Sequence, residues 1–362
     1  MEGTVQGDYK NAAGVYESVK NYYGRVLSST KDLKTSACCT SNRPHKIVRD
    51  ALVQVPDEIT SRYYGCGTPL PFGIEGLHVL DLGSGSGRDC YVAANLVGQS
   101  GSVTGVDMTK EQLDVANAHV AEYTAKLGYA RPNLRFVQGY IEFLAEAGIE
   151  PASMDLVISN CVVNLSPDKR RVLSNVYEVL REGGEFYFSD VYCDRRLPPS
   201  VRSHEVLLGE CLAGALYIED FRRLCHAVGF TDPRALSTSP IAVDDEELRE
   251  VVGEARFYSI TYRLFKLPDL ETLCEDYGQY AVYRGTIKGH ASSYQLDDHH
   301  LFETGRPVLV CGNTADMLGK TWLGPHFEVV GSRERHYGLF GACAAPKDKA
   351  STSELPKGGA CC

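Results

Sequence analysis

The residues of this chain best equipped for chemistry are its thiols. Of 13 cysteines, Cys38 and Cys39 lie in an N-terminal arm and Cys66 in the loop Arg62-Tyr63-Tyr64-Gly65-Cys66-Gly67. Cys161 follows an apolar strand-like run, and Cys211 sits in the helix-patterned stretch Leu207–Gly214. Zinc sites usually carry C-x-x-C pairs or paired histidines, and the chain has neither arrangement. Adjacent side chains diverge, so Cys38 and Cys39 do not readily aim both sulfurs at one ion. Zinc is therefore the poorer account; scattered thiolates without a histidine partner better suit a soft, three-coordinate centre. Each thiol taken singly also has a bland reading as a small buried apolar residue. That reading is the expectation for Cys90, Cys193, Cys225, Cys274 and Cys311.

The element that must position any such chemistry is Val79-Leu80-Asp81-Leu82-Gly83-Ser84-Gly85-Ser86-Gly87-Arg88-Asp89. Alternate glycines let a backbone turn sharply and approach a ligand closely, and strand, turn and helix in succession build nucleotide sites in α/β folds. The dinucleotide fingerprint is absent, because the sixth position is Arg88 counted from Gly83 and Cys90 counted from Gly85. An acidic residue ahead of G-x-G-x-G instead resembles motif I of class I methyltransferases that use S-adenosylmethionine. A second strand, Val103–Asp107, ends in a carboxylate about 20 residues further on, where a ribose diol is normally held. Thr109 and Gln112 then read as a capping box, opening a helix that runs to Gly128. Leu134–Gln138 and Met154–Ser159 are further strands, the first followed by Gly139-Tyr140-Ile141-Glu142, which resembles the adenine-contacting turn of the same class. Ser166-Pro167 is expected to start a helix and Gly183-Gly184 to stop it, before a fifth strand over Glu185–Asp190. The alternation predicts a doubly covered parallel sheet, an α/β class I (Rossmann-like) methyltransferase fold.

The donor turn and the thiols make one chemical proposition. Trivalent arsenic held by three sulfurs is pyramidal and keeps a lone pair at its apex, which is what in-line attack on a methyl sulfonium requires. The segments Thr35–Thr40, Arg62–Gly67, Asp81–Tyr91, Val106–Lys110, Gly139–Glu142, Ser159–Asn164, Tyr187–Tyr192 and Gly209–Tyr217 together resemble arsenite S-adenosylmethionine methyltransferase, in order over roughly residues 35–265. The resemblance implies arsenic chemistry at Cys38, Cys66, Cys161 and Cys211, with Cys66, Cys161 and Cys211 as arsenic ligands. Spacing from Thr35 to Pro44 favours Cys38 over Cys39. It implies a donor site of Tyr64, Gly65, Asp81, Gly83, Gly85, Arg88, Asp107, Met108, Thr109, Ile141, Glu142 and Asn160. Arg88 reads equally as a cation that favours thiolates or as a helix-surface charge. Orienting the reactants supplies most of the catalysis, roughly 7–11 kcal/mol, and no general base is needed. Attack leaves pentavalent arsenic, which Cys38 can reduce by forming a disulfide with another site thiol; glutathione or thioredoxin reopens it by exchange.

A net charge of −10 and a pI near 5.5 argue against nucleic acid as the main partner. No apolar run reaches membrane-spanning length, and Met1-Glu2-Gly3-Thr4 has no signal-peptide character, so a cytoplasmic location with reduced thiols is expected. Thirteen is odd, so a monomer keeps at least one thiol unpaired.

At 362 residues the chain is expected to hold several domains. The divisions read are an arm over 1–45 carrying Cys38, the donor domain over 46–193, an arsenic-binding extension over 194–265, a smaller C-terminal α+β domain over 266–345, and a disordered tail over 346–362 ending in Cys361-Cys362. Strand-like runs at Phe257–Phe265, Tyr280–Ile287 and Pro307–Cys311 point to that C-terminal region, and His299-His300 reads as surface or capping histidine. Two rival functions make smaller demands on the residues. A methyltransferase for a small organic acceptor such as a quinone or sterol has no need of three thiols around one pocket. A thiol-rich metalloid-sequestering protein has no need of Asp81, Asp107 and a complete donor turn.

Overall fold

Apolar runs of five to nine residues alternating with amphipathic stretches fold here as strands and covering helices, in a computed structural model that describes residues 12–21, 44–63 and 69–341. Helices α1 (Ala12–Asn21), α2 (Lys46–Leu52) and α3 (Asp57–Ser61) precede the sheet. The alternating unit follows as β1 (His78–Leu82), α4 (Arg88–Val97), β2 (Ser102–Asp107), α5 (Lys110–Ala118), α6 (Val120–Lys126), β3 (Leu134–Gln138), β4 (Met154–Asn160), α7 (Lys169–Val179) and β5 (Leu180–Cys193). Next come α8 (Pro199–Arg202), α9 (Glu205–Gly209), β6 (Leu216–Tyr217), α10 (Ile218–Val228), β7 (Arg234–Ile241), α11 (Glu246–Val252) and β8 (Phe257–Phe265).

The main sheet has the order β3-β2-β1-β4-β5-β8-β7, with β6 beside the end of β5. Its first five strands are parallel, and apart from the edge strand β3 their side chains are mostly buried on both faces, as crossover helices require. The order reverses at β1, between β2 and β4, so the crevice beyond the carboxyl ends of β1 and β4 is the ligand position of an open α/β sheet.

Several local expectations are corrected. Phe257–Phe265 does not belong to the C-terminal region: it is β8, paired antiparallel with β5 from Glu185↔Phe265 to Cys193↔Phe257, and β7 pairs antiparallel with it. The sheet therefore continues past residue 193 into the 194–265 span. Burial of eight of the nine β8 residues explains why the run reads as a strand, but hydropathy does not name a strand's partner. The helix after Asp107 breaks at His119 into α5 and α6. Asp168, not Ser166-Pro167, caps α7, its carboxylate accepting from Arg171 N at 3.0 Å. That helix ends at Val179 with Leu180 already extended, and Gly183-Gly184 lies inside β5.

The C-terminal part contains β9 (Glu275–Asp276), β10 (Gln279–Tyr283), β11 (Ser293–Gln295), β12 (Leu301–Glu303), β13 (Pro307–Val310), α12 (Gly312–Gly319), β14 (Phe327–Val330) and β15 (Gly338–Leu339). β13-β10-β14 form an antiparallel sheet around a core that includes Tyr283, Phe302 and Phe327. Buried ion pairs fasten this part to the main sheet. Arg263 of β8 binds Glu185 of β5 through two bonds of 2.6 and 2.9 Å and also donates to Tyr294 Oη at 2.9 Å, while Trp322 Nε1 donates to Glu185 at 3.0 Å. Arg234 of β7 pairs with Asp232 at 2.7 Å and Asp297 at 2.9 Å. Asp297 also accepts from the backbone of His299 and His300 and lies 2.8 Å from the buried His300 ring, so the pair closes a turn and is not simply surface histidine.

Candidate functional site

The turn after β1 is the floor of the site. Gly83 has φ +67°, and a Cβ there would lie 2.4 Å from Val162, so any larger residue would push apart the β1 and β4 loops. Gly85 has φ +53° and faces open space, and its N–H donates to Asp107 Oδ2 at 2.9 Å. The other Asp107 oxygen accepts from Thr109 N at 2.7 Å. Asp107 therefore ties the two loops together, and Thr109 makes no side-chain cap for α5; the expected capping box is replaced by this carboxylate. Burial pushes the Asp107 carboxyl up, against the pull of the Thr109 and Gly85 donors.

Asp81, Gly83, Gly85, Arg88, Asp107, Met108, Thr109, Ile141, Glu142 and Asn160 all line one cavity. Arg88 is no helix-surface charge: it binds Asp89 at 2.6 and 2.9 Å and lies over the Tyr63 ring, 3.2 Å from its centroid. Asn160 donates to both Asp89 and the Tyr63 hydroxyl. Cys90 is not only packing. Its thiol, fully buried, donates to Asp81 Oδ2 at 3.1 Å. Burial drives the Asp81 carboxyl well above its usual range, and neighbouring Asp89 adds to this.

Cys161 lines the same cavity from the end of β4. Among the described residues only Ala152, Cys161 and Cys211 are non-glycine residues at positive φ, with +55° at Cys161 and +62° at Cys211. Such conformations cost about 1–3 kcal/mol each and gather at functional sites. The two strained cysteines meet: the Cys211 thiol, fully buried, donates to the Cys161 carbonyl at 3.1 Å. Their loops are pressed together at Gly214, where a Cβ would fall 2.0 Å from Asn164 O. The Asn164 N–H donates to Asp190 Oδ2 at 3.0 Å, and Lys169 Nζ donates to the carbonyls of Asn164 and Ser166 at 3.0 and 2.9 Å. Burial raises Asp190 to about 7 and lowers Lys169 to about 8.

A methyltransferase-domain family model matches residues 74–229. The chain is 55% identical to an arsenite methyltransferase of Aquipseudomonas alcaligenes over 91% of this chain and 94% of that protein. It is 45% identical to the arsenite methyltransferase of Homo sapiens over 84% of this chain and 81% of the relative. The crystal structure of an arsenic(III) S-adenosylmethionine methyltransferase from Chlamydomonas reinhardtii matches with a TM-score of 0.80 at 64% identity, covering 82% of this chain and 100% of that one. The chain belongs to the arsenite methyltransferase family.

The pocket of this arsenite methyltransferase fits S-adenosylmethionine. It offers the room left by Gly85, the buried and unpartnered Ser84 hydroxyl, and the carboxyl groups of Asp81, Asp89 and Asp107 as polar partners. Cys38, Cys66, Tyr64 and Gly65 lie outside the described residues, so of the four thiols the structure describes the pair Cys161 and Cys211. Among the described residues no cluster of three or more metal-ligating side chains occurs, and no helix is long and apolar enough to cross a membrane. Reduced thiols throughout are not what is found. Cys161 and Cys274 are each disulfide-bonded, whereas Cys90, Cys193, Cys211, Cys225 and Cys311 are not. Cys274, expected to be a packed free thiol, is therefore bridged instead. Sequence reasoning also missed Tyr16 and Val19 of α1, which line the donor cavity from far upstream.

Proposed function

We propose that this arsenite methyltransferase holds trivalent arsenic on the thiolates of Cys161 and Cys211, with Cys66 as third ligand, beside the donor pocket. The observation that carries the reading is positional: Cys161 lines the donor cavity, and its carbonyl accepts the Cys211 thiol at 3.1 Å. When bound, S-adenosylmethionine supplies an electrophilic methyl on a positively charged sulfur. Gly83, Gly85 and Asp107 would hold its nucleoside end, and Asp81, Arg88 and Asn160 the end nearer the reacting atoms. Cys161 and Cys211 fix arsenic with its lone pair free. In methyl transfer the arsenic lone pair forms the As–C bond, the C–S bond breaks and its electrons stay on sulfur. Arsenic is thereby oxidised from the trivalent to the pentavalent state.

Two electrons must return before the next turnover. Two site thiolates supply them by closing a disulfide, in which Cys38 is one partner, and a dithiol of the thioredoxin type or glutathione reopens it by exchange. That Cys161 is disulfide-bonded supports such a cycle, since a bridged sulfur cannot ligate arsenic until it is reduced. The site lies in a reducing cytoplasmic setting on this account, and its products are mono- and dimethylated arsenicals, with trimethylation open to the same chemistry.

The test is transfer of labelled methyl from S-adenosylmethionine to arsenite with glutathione or thioredoxin present, in wild type, Cys161→Ser and Cys211→Ser. Methylated arsenic from wild type and its loss in both variants, with donor binding retained, is the expected result. Full activity of either variant overturns the thiolate assignment.

A further inference from the structure

Helix α1 touches both halves of the site, although it lies well outside the alternating unit that builds the sheet. Tyr16 and Val19 form part of the donor cavity's wall, with Val19 buried. The Tyr16 ring packs on Tyr140 with centroids 4.8 Å apart, and burial, helped by the nearby Glu142 carboxylate, pushes its hydroxyl's titration up. One turn on, Lys20 Nζ donates to the Tyr140 hydroxyl at 2.8 Å and lies 5.1 Å from that ring's centroid. Tyr140 and Glu142 belong to the turn after β3 that lines the same cavity. Glu142 also accepts from Ser166 Oγ, at the foot of the loop that begins with Cys161. The other side of α1 packs against α9, which leads directly into Glu210 and Cys211.

A wall supplied by a separate helix has a kinetic consequence. An occupant enclosed by Tyr16 and Val19 cannot enter or leave past them while they stay in place. We infer that α1 is the lid of the donor pocket, with Lys20 as its latch on Tyr140 and Tyr16 seated on the same turn. Both are positioning residues: they act through the Tyr140–Glu142 turn and set how long the nucleoside ligand is retained. The lid also gives the donor pocket a physical path to the arsenic loop, since one helix rests on the donor turn and on α9 together. The inference rests on the donor pocket and not on the thiolate assignment, so it can fail independently of it.

The experiment uses the full chain carrying Tyr16→Phe or Lys20→Met, with labelled S-adenosylmethionine and S-adenosylhomocysteine as probes and arsenite left out of the binding measurements. A hydrogen bond to a charged group contributes about 1.5–3 kcal/mol, so breaking the Lys20–Tyr140 latch is expected to raise the dissociation rate of both probes by roughly tenfold or more. In turnover the loss appears in KM for the donor rather than in kcat. Unchanged dissociation rates in both variants overturn the lid. Should a variant unfold, hydrogen exchange on wild type decides: protection of the backbone amides of 12–21 on adding S-adenosylhomocysteine supports the lid, and unaltered exchange there overturns it.

Discussion

The Cys211 thiol donates to the backbone carbonyl of Cys161 across 3.1 Å, and both residues hold the left-handed backbone that glycine normally occupies. Two strained cysteines in contact, one of them lining the donor pocket, are expensive to keep. The surrounding structure keeps them by over-determining their loops, through Asp190 on the Asn164 and Val191 N–H groups and through Lys169 on two carbonyls.

The positive φ at Cys211 means that glycine fits there better than alanine. Cys211→Gly is expected to be about 1 kcal/mol more stable than Cys211→Ala, although both lose arsenic methylation. Urea denaturation of the two variants checks the difference. Equal stability, or a more stable alanine variant, would remove backbone strain from the account of this loop.

The Cys90–Asp81 bond separates a donor role from a packing role. Cys90→Ser keeps a hydroxyl donor and should bind S-adenosylmethionine within a few-fold of wild type. Cys90→Ala leaves Asp81 buried without that donor, a loss of about 1–3 kcal/mol. Donor affinity should fall roughly tenfold or more in the alanine variant, and fall further as pH is lowered and Asp81 is more easily protonated. Isothermal titration at two pH values measures both effects, and equal affinities for the serine and alanine variants would reduce Cys90 to packing.

Asp190 makes a pH prediction with a definite sign. Its folded carboxyl titrates at about 7, against an ordinary value of 3.8, because burial penalises the charge. Between those values the folded chain binds more protons than the unfolded one. Stability from this group is present in full below pH 3.8 and is lost as pH rises through about 7. Wild type should therefore lose more unfolding free energy between pH 5 and pH 8 than Asp190→Asn does. Parallel pH profiles for the two proteins would show that Asp190 is ionised throughout.

Much of this architecture is written in local sequence. The strands β1 to β4, the glycine turn, Asp107 and the position of Cys161 all follow from apolar runs and short-range spacing, because each depends on neighbours in the chain. Elements that depend on distant partners were not legible. Hydropathy marks β8 as a buried strand but does not place it against β5. A thiol buried for packing and one that donates to a carboxylate look alike in a sequence, which hides the role of Cys90. Nothing in Ala12–Asn21 announces that Tyr16 faces the donor cavity, since the residues it meets lie some 120 positions downstream, as for Lys20 and Tyr140. Positive φ at Cys161 and Cys211 is a property of packed loops, invisible until those loops meet at Gly214.

The measurement that bears most directly on the central claim is arsenic X-ray absorption of the reduced, arsenite-loaded protein. Three sulfur neighbours around arsenic are expected in wild type, and two sulfurs with one light-atom neighbour in Cys161→Ser and in Cys211→Ser. Three sulfurs persisting in either variant would contradict the account, because that cysteine would then not be an arsenic ligand.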